Sequence, residues 1–293
     1  MIPFVREIDP AYGRPAAVTP LIRRVTAENP GPFTFLGTGT YIVGHGEVAV
    51  IDAGPDLPAH LDALLHALKG ETVKAILTTH THADHSPLSQ ALAERTGRPP
   101  IYGRVDPMVG SSEAASDTAF RPDVEIADGQ RIQGRGWTLE ALATPGHASN
   151  HVCYALLEEN VLFTGDHVMG WSTTVVSPPD GDMSDYYASL SKVEARDFAM
   201  LIPTHGPPVT EVRPFLAAYR NHRLDRERQI LAELEKGPRR IIEMVPVMYA
   251  AVDPRLHPAA ARSVLAHLLH LERRGIVAAN GEAGPDSLFH LAP

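Results

Sequence analysis

The sequence predicts an α/β layered domain followed by a small helical unit, and three observations carry that prediction. From about residue 33 to 205, short runs rich in Val, Ile and Leu recur, each ending in Gly, Pro, Asp or His, the mark of strands that stop at a shaped turn. Helical patterns lie between some of these runs, and strands interleaved with helices make a layered sheet domain. After the turn-rich stretch His205-Gly-Pro-Pro208 the pattern changes to long amphipathic helix.

The predicted strands are 40–43, 47–51, 73–77, 137–142, 151–157, 160–163 and 199–202. Helices are expected over 58–69, stopped by Gly70, and over 87–96. Beyond 208 a long helix is expected over 214–236, opened by Pro214 and closed by Gly237-Pro238, because proline suits a first turn and glycine a stop. Two more helical stretches, 239–250 and 258–274, precede short strands over 274–281 and 287–291 around a Gly-rich turn. Helices followed by a β-ribbon make a small winged-helix arrangement. The boundary is placed near 212, giving an α/β domain over 1–212 and a winged-helix-like domain over 213–293.

The 293 residues are 44% hydrophobic and 21% charged, which excludes a disordered chain and leaves ample material for a core. Cys153 is the only cysteine, so no disulfide forms within the chain, and its apolar surroundings make it a buried structural residue. The start MIPFVREIDPAYGR lacks the pattern of a signal peptide, and no run of about 18 apolar residues occurs. A cytoplasmic protein without membrane attachment is expected, and its wealth of Ala, Arg and Pro suggests a GC-rich bacterial source. Net charge is −9, but residues 1–212 hold 14 Lys and Arg against 26 Asp and Glu, whereas the tail holds 12 against 9. The acidic body argues against a general nucleic-acid coat; the mildly basic tail admits an anionic partner. Pairing of the two between subunits gives a reason to expect a homodimer.

The chemistry is concentrated in Leu77-Thr-Thr-His80-Thr-His82-Ala-Asp84-His85-Ser86, four metal-ligand side chains within six residues at the end of an apolar strand. His80 and His82 share a face where the chain is extended; Asp84 and His85 follow where it turns. Three further candidates, His147, Asp166 and His205, each sit just beyond an apolar run, where Gly or Pro shapes the presenting loop. Seven such groups converging suit a two-metal hydrolytic centre.

On these motifs the sequence resembles the metallo-β-lactamase-fold hydrolases over about 30–210. The resemblance implies a four-layer αββα sandwich with the site at one edge of the sheets. It assigns His80, His82 and His147 to a first ion, Asp84, His85 and His205 to a second, and Asp166 to both. Asp52, at the end of Val48-Ala-Val-Ile-Asp-Ala-Gly54, matches the family's strand-end aspartate, expected to orient a ligating imidazole. Imidazole and carboxylate donors without thiolate suit two Zn²⁺ per chain, with Mn²⁺ or Fe as alternatives. The nucleophile implied is a bridging hydroxide, steered by Asp84, which is also a candidate proton carrier. His167 is a candidate substrate contact or acid. Trp171, Tyr186 and Tyr187 lie in a segment, 168–189, expected as a surface loop from which they can stack on substrate.

The segment from Asn29 to Tyr41, the stretch Gly165-Asp-His-Val-Met-Gly-Trp171 and the winged-helix tail together resemble the β-lactamase-like protein 2 subgroup. That resemblance implies a phosphodiesterase, an endoribonuclease acting on single-stranded RNA. Arg220, Arg223, Arg226, Arg228, Arg239, Arg240, Arg273 and Arg274 are the candidate RNA guides. The alternative is a thioesterase or lactone hydrolase on a small acyl substrate, resembling glyoxalase II. A non-catalytic winged-helix binding module is disfavoured by the complete ligand set.

Overall fold

Alternation along a strand sorts its residues onto two faces, and in this chain both faces of the central strands are buried. The structure, a computed structural model, describes residues 2–105 and 116–293. The first sheet runs β1 (Ala16–Ala17), β2 (Ile22–Thr26), β3 (Gly39–His45), β4 (Glu47–Ile51), β5 (Thr72–Leu77), β6 (Ile101–Gly103) and β7 (Val124–Glu125), each beside the next. The second runs β8 (Arg131–Gly134), β9 (Trp137–Ala143), β10 (Val152–Leu156), β11 (Val161–Gly165) and β12 (Met200–Pro203) in the same way. Parallel neighbours need a crossover. Accordingly α1 (Pro58–Ala67) joins β4 to β5, α2 (Leu88–Arg95) joins β5 to β6, and α3 (Met183–Glu194) joins β11 to β12.

Tyr41, Ile51 and Leu77 of the first sheet meet Leu139, Tyr154 and Phe163 of the second, filling the space between the sheets. The alternate residues Ile42, Val50 and Ile76 face Leu64 of α1 and Leu92 of α2. On the other side Cys153 and Leu162 face Leu190 of α3 together with Phe215 and Tyr219 of α4 (Val212–Leu234). The layers are therefore helix, sheet, sheet, helix. Trp137 pins one end: its Nε1 donates to the Glu47 carbonyl at 2.8 Å, and a Cβ at Gly44 or Gly134 would come within 2.4 or 2.3 Å of its ring.

The C-terminal unit is a winged helix of α5 (Ile241–Met248), α6 (His257–Arg273) and a ribbon of β13 (Arg239–Arg240), β14 (Val277–Ala279) and β15 (Leu288–Leu291). Its core joins Met244, Leu268 and Phe289 to Ile230 and Leu234 of α4. Helix α4 thus belongs to both cores, Phe215, Leu216 and Tyr219 in one and Ile230 and Leu234 in the other.

The structure differs from the sequence reading in three places. Helix begins at 241 rather than 239, because Arg239 and Arg240 pair with Phe289 and Leu288. The segment 168–189 is not a surface loop throughout: Asp182 accepts from Ser184 N and Asp185 N and starts α3 at Met183, and Val168 and Met169 are buried. The strands β2 and β6 to β8 carry too many polar residues, or too few residues, for periodicity to show them. No helix among the described residues is long and apolar enough to cross a membrane.

Candidate metal centre

The seven candidate side chains converge where the strands of the two sheets end. His80 and His82 follow β5, His147 follows β9, Asp166 follows β11 and His205 follows β12. Their donor atoms form three overlapping groups, each within 4.8 Å: His80 with His82 and His147; His80 with His85 and Asp166; Asp84 with His85 and His205. His82 Nδ1 lies 2.8 Å from His80 Nε2 and 3.2 Å from His147 Nε2. His205 Nε2 lies 3.1 Å from Asp84 Oδ2 and 3.4 Å from Asp166 Oδ1, and the other Asp166 oxygen is 3.7 Å from His147 Nε2. Asp166 therefore stands between the two halves.

His85, His147 and His205 are each oriented through the other ring nitrogen, which fixes the tautomer. His85 Nδ1 meets Asp52 Oδ2 at 2.9 Å, His147 Nδ1 meets the Val175 carbonyl at 2.6 Å, and His205 Nδ1 meets the Gly37 carbonyl at 3.2 Å. Asp52 is wholly buried and also accepts from Thr79 N, Thr79 Oγ1 and Thr204 Oγ1. It holds a φ of 53°, a left-handed conformation that a non-glycine residue keeps only when its surroundings impose it. The sequence reading did not find His151, whose Nε2 accepts from Asp166 N at 3.2 Å and whose Nδ1 meets Thr144 Oγ1 at 2.9 Å. Nor could it find the carbonyls of Gly37 and Val175, since a backbone acceptor has no residue signature.

Electrostatics separate the donors. Burial, with the neighbouring His147 and His85, holds His82 down at about 3, so it offers a free lone pair. Burial also works against a charge on His85, but the carboxylates of Asp84, Asp52 and Asp166 overcome it and lift His85 to about 10. Asp84 is held well below the usual carboxylate range; burial opposes this, and His85 and His205 outweigh it. His85 Nε2 and Asp166 Oδ1 are buried with no hydrogen-bond partner. Buried orphans facing a ring of nitrogens and carboxylate oxygens fit divalent cations.

Of the other candidates, Tyr186, Tyr187 and His167 do not reach the site. Tyr186 is fully buried, its hydroxyl donating to the His167 carbonyl at 2.8 Å, so it cannot stack on substrate. Tyr187 packs against His270, with ring centroids 5.1 Å apart. His167 is sealed from solvent and burial holds it neutral, at about 3, so it is neither a substrate contact nor a proton donor to one. Trp171 is partly exposed and stacks on Phe35 at 4.9 Å, and Phe33 on the same loop is 61% exposed. That loop leads to Gly37, so the aromatic wall adjoins His205.

Most tail arginines serve internal contacts. Arg220 pairs with Glu194, Arg228 with Asp225, Arg273 with Asp182 and Arg274 with Glu227. Arg226 lies over the Tyr249 ring, Arg240 donates to the Asp286 carbonyl, and Arg223 is buried.

Residues 34–205 match the model of the Metallo-beta-lactamase superfamily, and residues 241–285 that of the Beta-lactamase associated winged helix domain. An atrochrysone carboxyl ACP thioesterase of Aspergillus chevalieri is 36% identical over 223 residues, 75% of this chain and 68% of that protein. A Beta-lactamase-like protein 2 homolog of Drosophila melanogaster is 33% identical over 279 residues, 88% of this chain and 92% of that protein. The crystal structure of a beta-lactamase domain protein from Burkholderia ambifaria superposes with a TM-score of 0.83 at 23% identity, covering 99% of this chain and 97% of the other.

Proposed function

The chain belongs to the metallo-beta-lactamase superfamily of hydrolases, and on that footing we propose that it is an acyl thioesterase working with two divalent cations, Zn²⁺ first. The observation that carries the reading is the three overlapping donor groups at the sheet ends. His80, His82 and His147 would hold one ion, and Asp84, His85 and His205 the other, with Asp166 between them. Such a pair of ions, when bound, lowers the pKa of water to about 7 and stabilises negative charge on a carbonyl oxygen.

The chain's own residues supply the rest. Asp52 keeps His85 Nε2 turned into the site, and Val175 and Gly37 do the same for His147 and His205. Asp84, partly exposed at the mouth, is placed to take a proton from an attacking water at its carboxylate. A thiolate, with a thiol pKa of about 8.5, leaves without help from an acid. Trp171, stacked on Phe35 and set against Gly206, offers apolar area to an acyl group.

The thioesterase named among the relatives supports acyl over RNA substrates. So does the tail, whose arginines are largely engaged within the chain. The single-stranded RNA activity first expected is therefore the less favoured reading, and a cytoplasmic location stays part of the proposal.

The test is thiol release from an acyl thioester of N-acetylcysteamine by zinc-loaded protein, run beside cleavage of a labelled single-stranded RNA. Thiol release is expected from the native protein and not from Asp84→Ala or His82→Ala. RNA cleavage without thiol release, lost in the same variants, would replace the thioesterase with a nuclease.

A further inference from the structure

Arg223 is the least expected charge in the protein. It sits in the middle of α4 at 2% exposure, and no carboxylate among the described residues forms an ion pair with it. A buried, unpaired guanidinium is costly unless its donors meet fixed acceptors. Here one terminal nitrogen donates to the Thr174 carbonyl, and the guanidinium carbon lies 5.1 Å from the centre of the Tyr186 ring.

Both of these neighbours lead to His147. Thr174 precedes Val175, whose carbonyl takes the His147 Nδ1 proton at 2.6 Å and so turns Nε2 toward His82. The same stretch is held by Tyr219, one turn earlier on α4, which accepts from Thr174 N at 2.8 Å and donates to the Ser172 carbonyl at 2.8 Å. Tyr186 backs the other flank. Its backbone lies so close to Gly146 that a Cβ there would sit 2.4 Å from Tyr186 Cα, and Asp182 N donates to the Gly146 carbonyl at 2.9 Å. Gly146 and Val175 are the two supports of His147, and Arg223 touches the neighbour of one and the ring that backs the other.

We infer that Arg223 is a positioning residue for His147: from the helix shared by the two cores, it fixes the imidazole of the three-histidine group. This rests on the reading of His80, His82 and His147 as an ion site. It also gives α4 a task at the centre that burial of its apolar face alone does not require. Arg223 thereby leaves the set of RNA guides, since it has no exposed donor to offer.

The test measures Zn²⁺ affinity by competition with a chromophoric chelator, for native protein, Arg223→Met, His147→Ala and the double variant. Native protein takes up two ions. Arg223→Met is expected to weaken one of the two by about 10- to 100-fold, the usual effect of removing an outer support of a ligand. The weakened step is the one that His147→Ala weakens, and in the double variant Arg223→Met adds no further loss. Leu234→Ala, in the winged-helix core, lowers the melting temperature without changing either affinity. Tyr219→Phe carries the same test with a smaller loss if Arg223→Met does not fold. Unchanged affinity in Arg223→Met, a full additional loss in the double variant, or an equal loss in Leu234→Ala would each overturn the inference. Native protein that takes up no zinc would instead remove the metal reading on which it stands.

Discussion

Asp52 is held in a left-handed conformation that costs about 1–3 kcal/mol, and four hydrogen bonds from Thr79, Thr204 and His85 keep it there. Its carboxylate meets His85 at Nδ1, leaving Nε2 toward Asp84 and Asp166. Asp52→Asn keeps the shape and loses the charge; zinc affinity at the His85 ion should fall by about 10- to 100-fold in chelator competition. Unchanged affinity would mean that packing alone orients His85. At this scale the seven donors were legible, because histidines and aspartates at the ends of apolar strands have few structural uses. Their supports were not. His151 reads as the first residue of a strand, and the carbonyls of Gly37 and Val175 belong to no residue type. Tyr186 and Tyr187 were misplaced because their segment gave no helical signal, and without the helix their faces cannot be assigned; His167, just after β11, is buried.

At the level of elements, two contacts decide where the site's limbs sit. Trp137 locks β9 to the β3–β4 hairpin through the Gly44 and Gly134 notches and the Glu47 carbonyl. Trp137→Ala should destabilise the protein by about 3–5 kcal/mol, measured by denaturant unfolding. Helix α3 is started by Asp182, which also pairs with Arg273 of α6. Burial alone would raise the Asp182 pKa, but Arg273 and the capping amides hold it below the ordinary carboxylate value. Its contribution is thus present above the unfolded carboxyl pKa of about 3.9 and lost as pH falls through the lower folded value. Melting temperature should drop less between pH 5 and 3 in Asp182→Asn, which keeps a capping oxygen, than in the native protein. An equal drop would show that the pair adds nothing. The Gly and Pro residues just before this cap read as loop, which hid the helix. Fully buried strands such as β10 were found as apolar runs, while β2, with its two arginines, was not.

Across the whole molecule, α4 ties the αββα body to the winged helix. A chain ended at 240 loses Met244, Leu268 and Phe289 from against Ile230 and Leu234, together with the Arg273–Asp182 pair. Its melting temperature and thiol release should fall together; a truncated chain with native stability and activity would show that the winged helix is an appendage. The change of pattern after 208 revealed the second unit, since strand runs give way to helix there. That α4 serves both cores was not legible, because periodicity shows that a helix has an apolar face without showing how many partners cover it. The two-ion hydrolytic centre proposed for the seven side chains is tested by thiol release during stepwise addition of Zn²⁺ to metal-stripped protein. Activity should rise from baseline to a plateau at about two ions per chain, with no recovery in His82→Ala. Full activity in the stripped protein, or a plateau that His82→Ala also reaches, would contradict it.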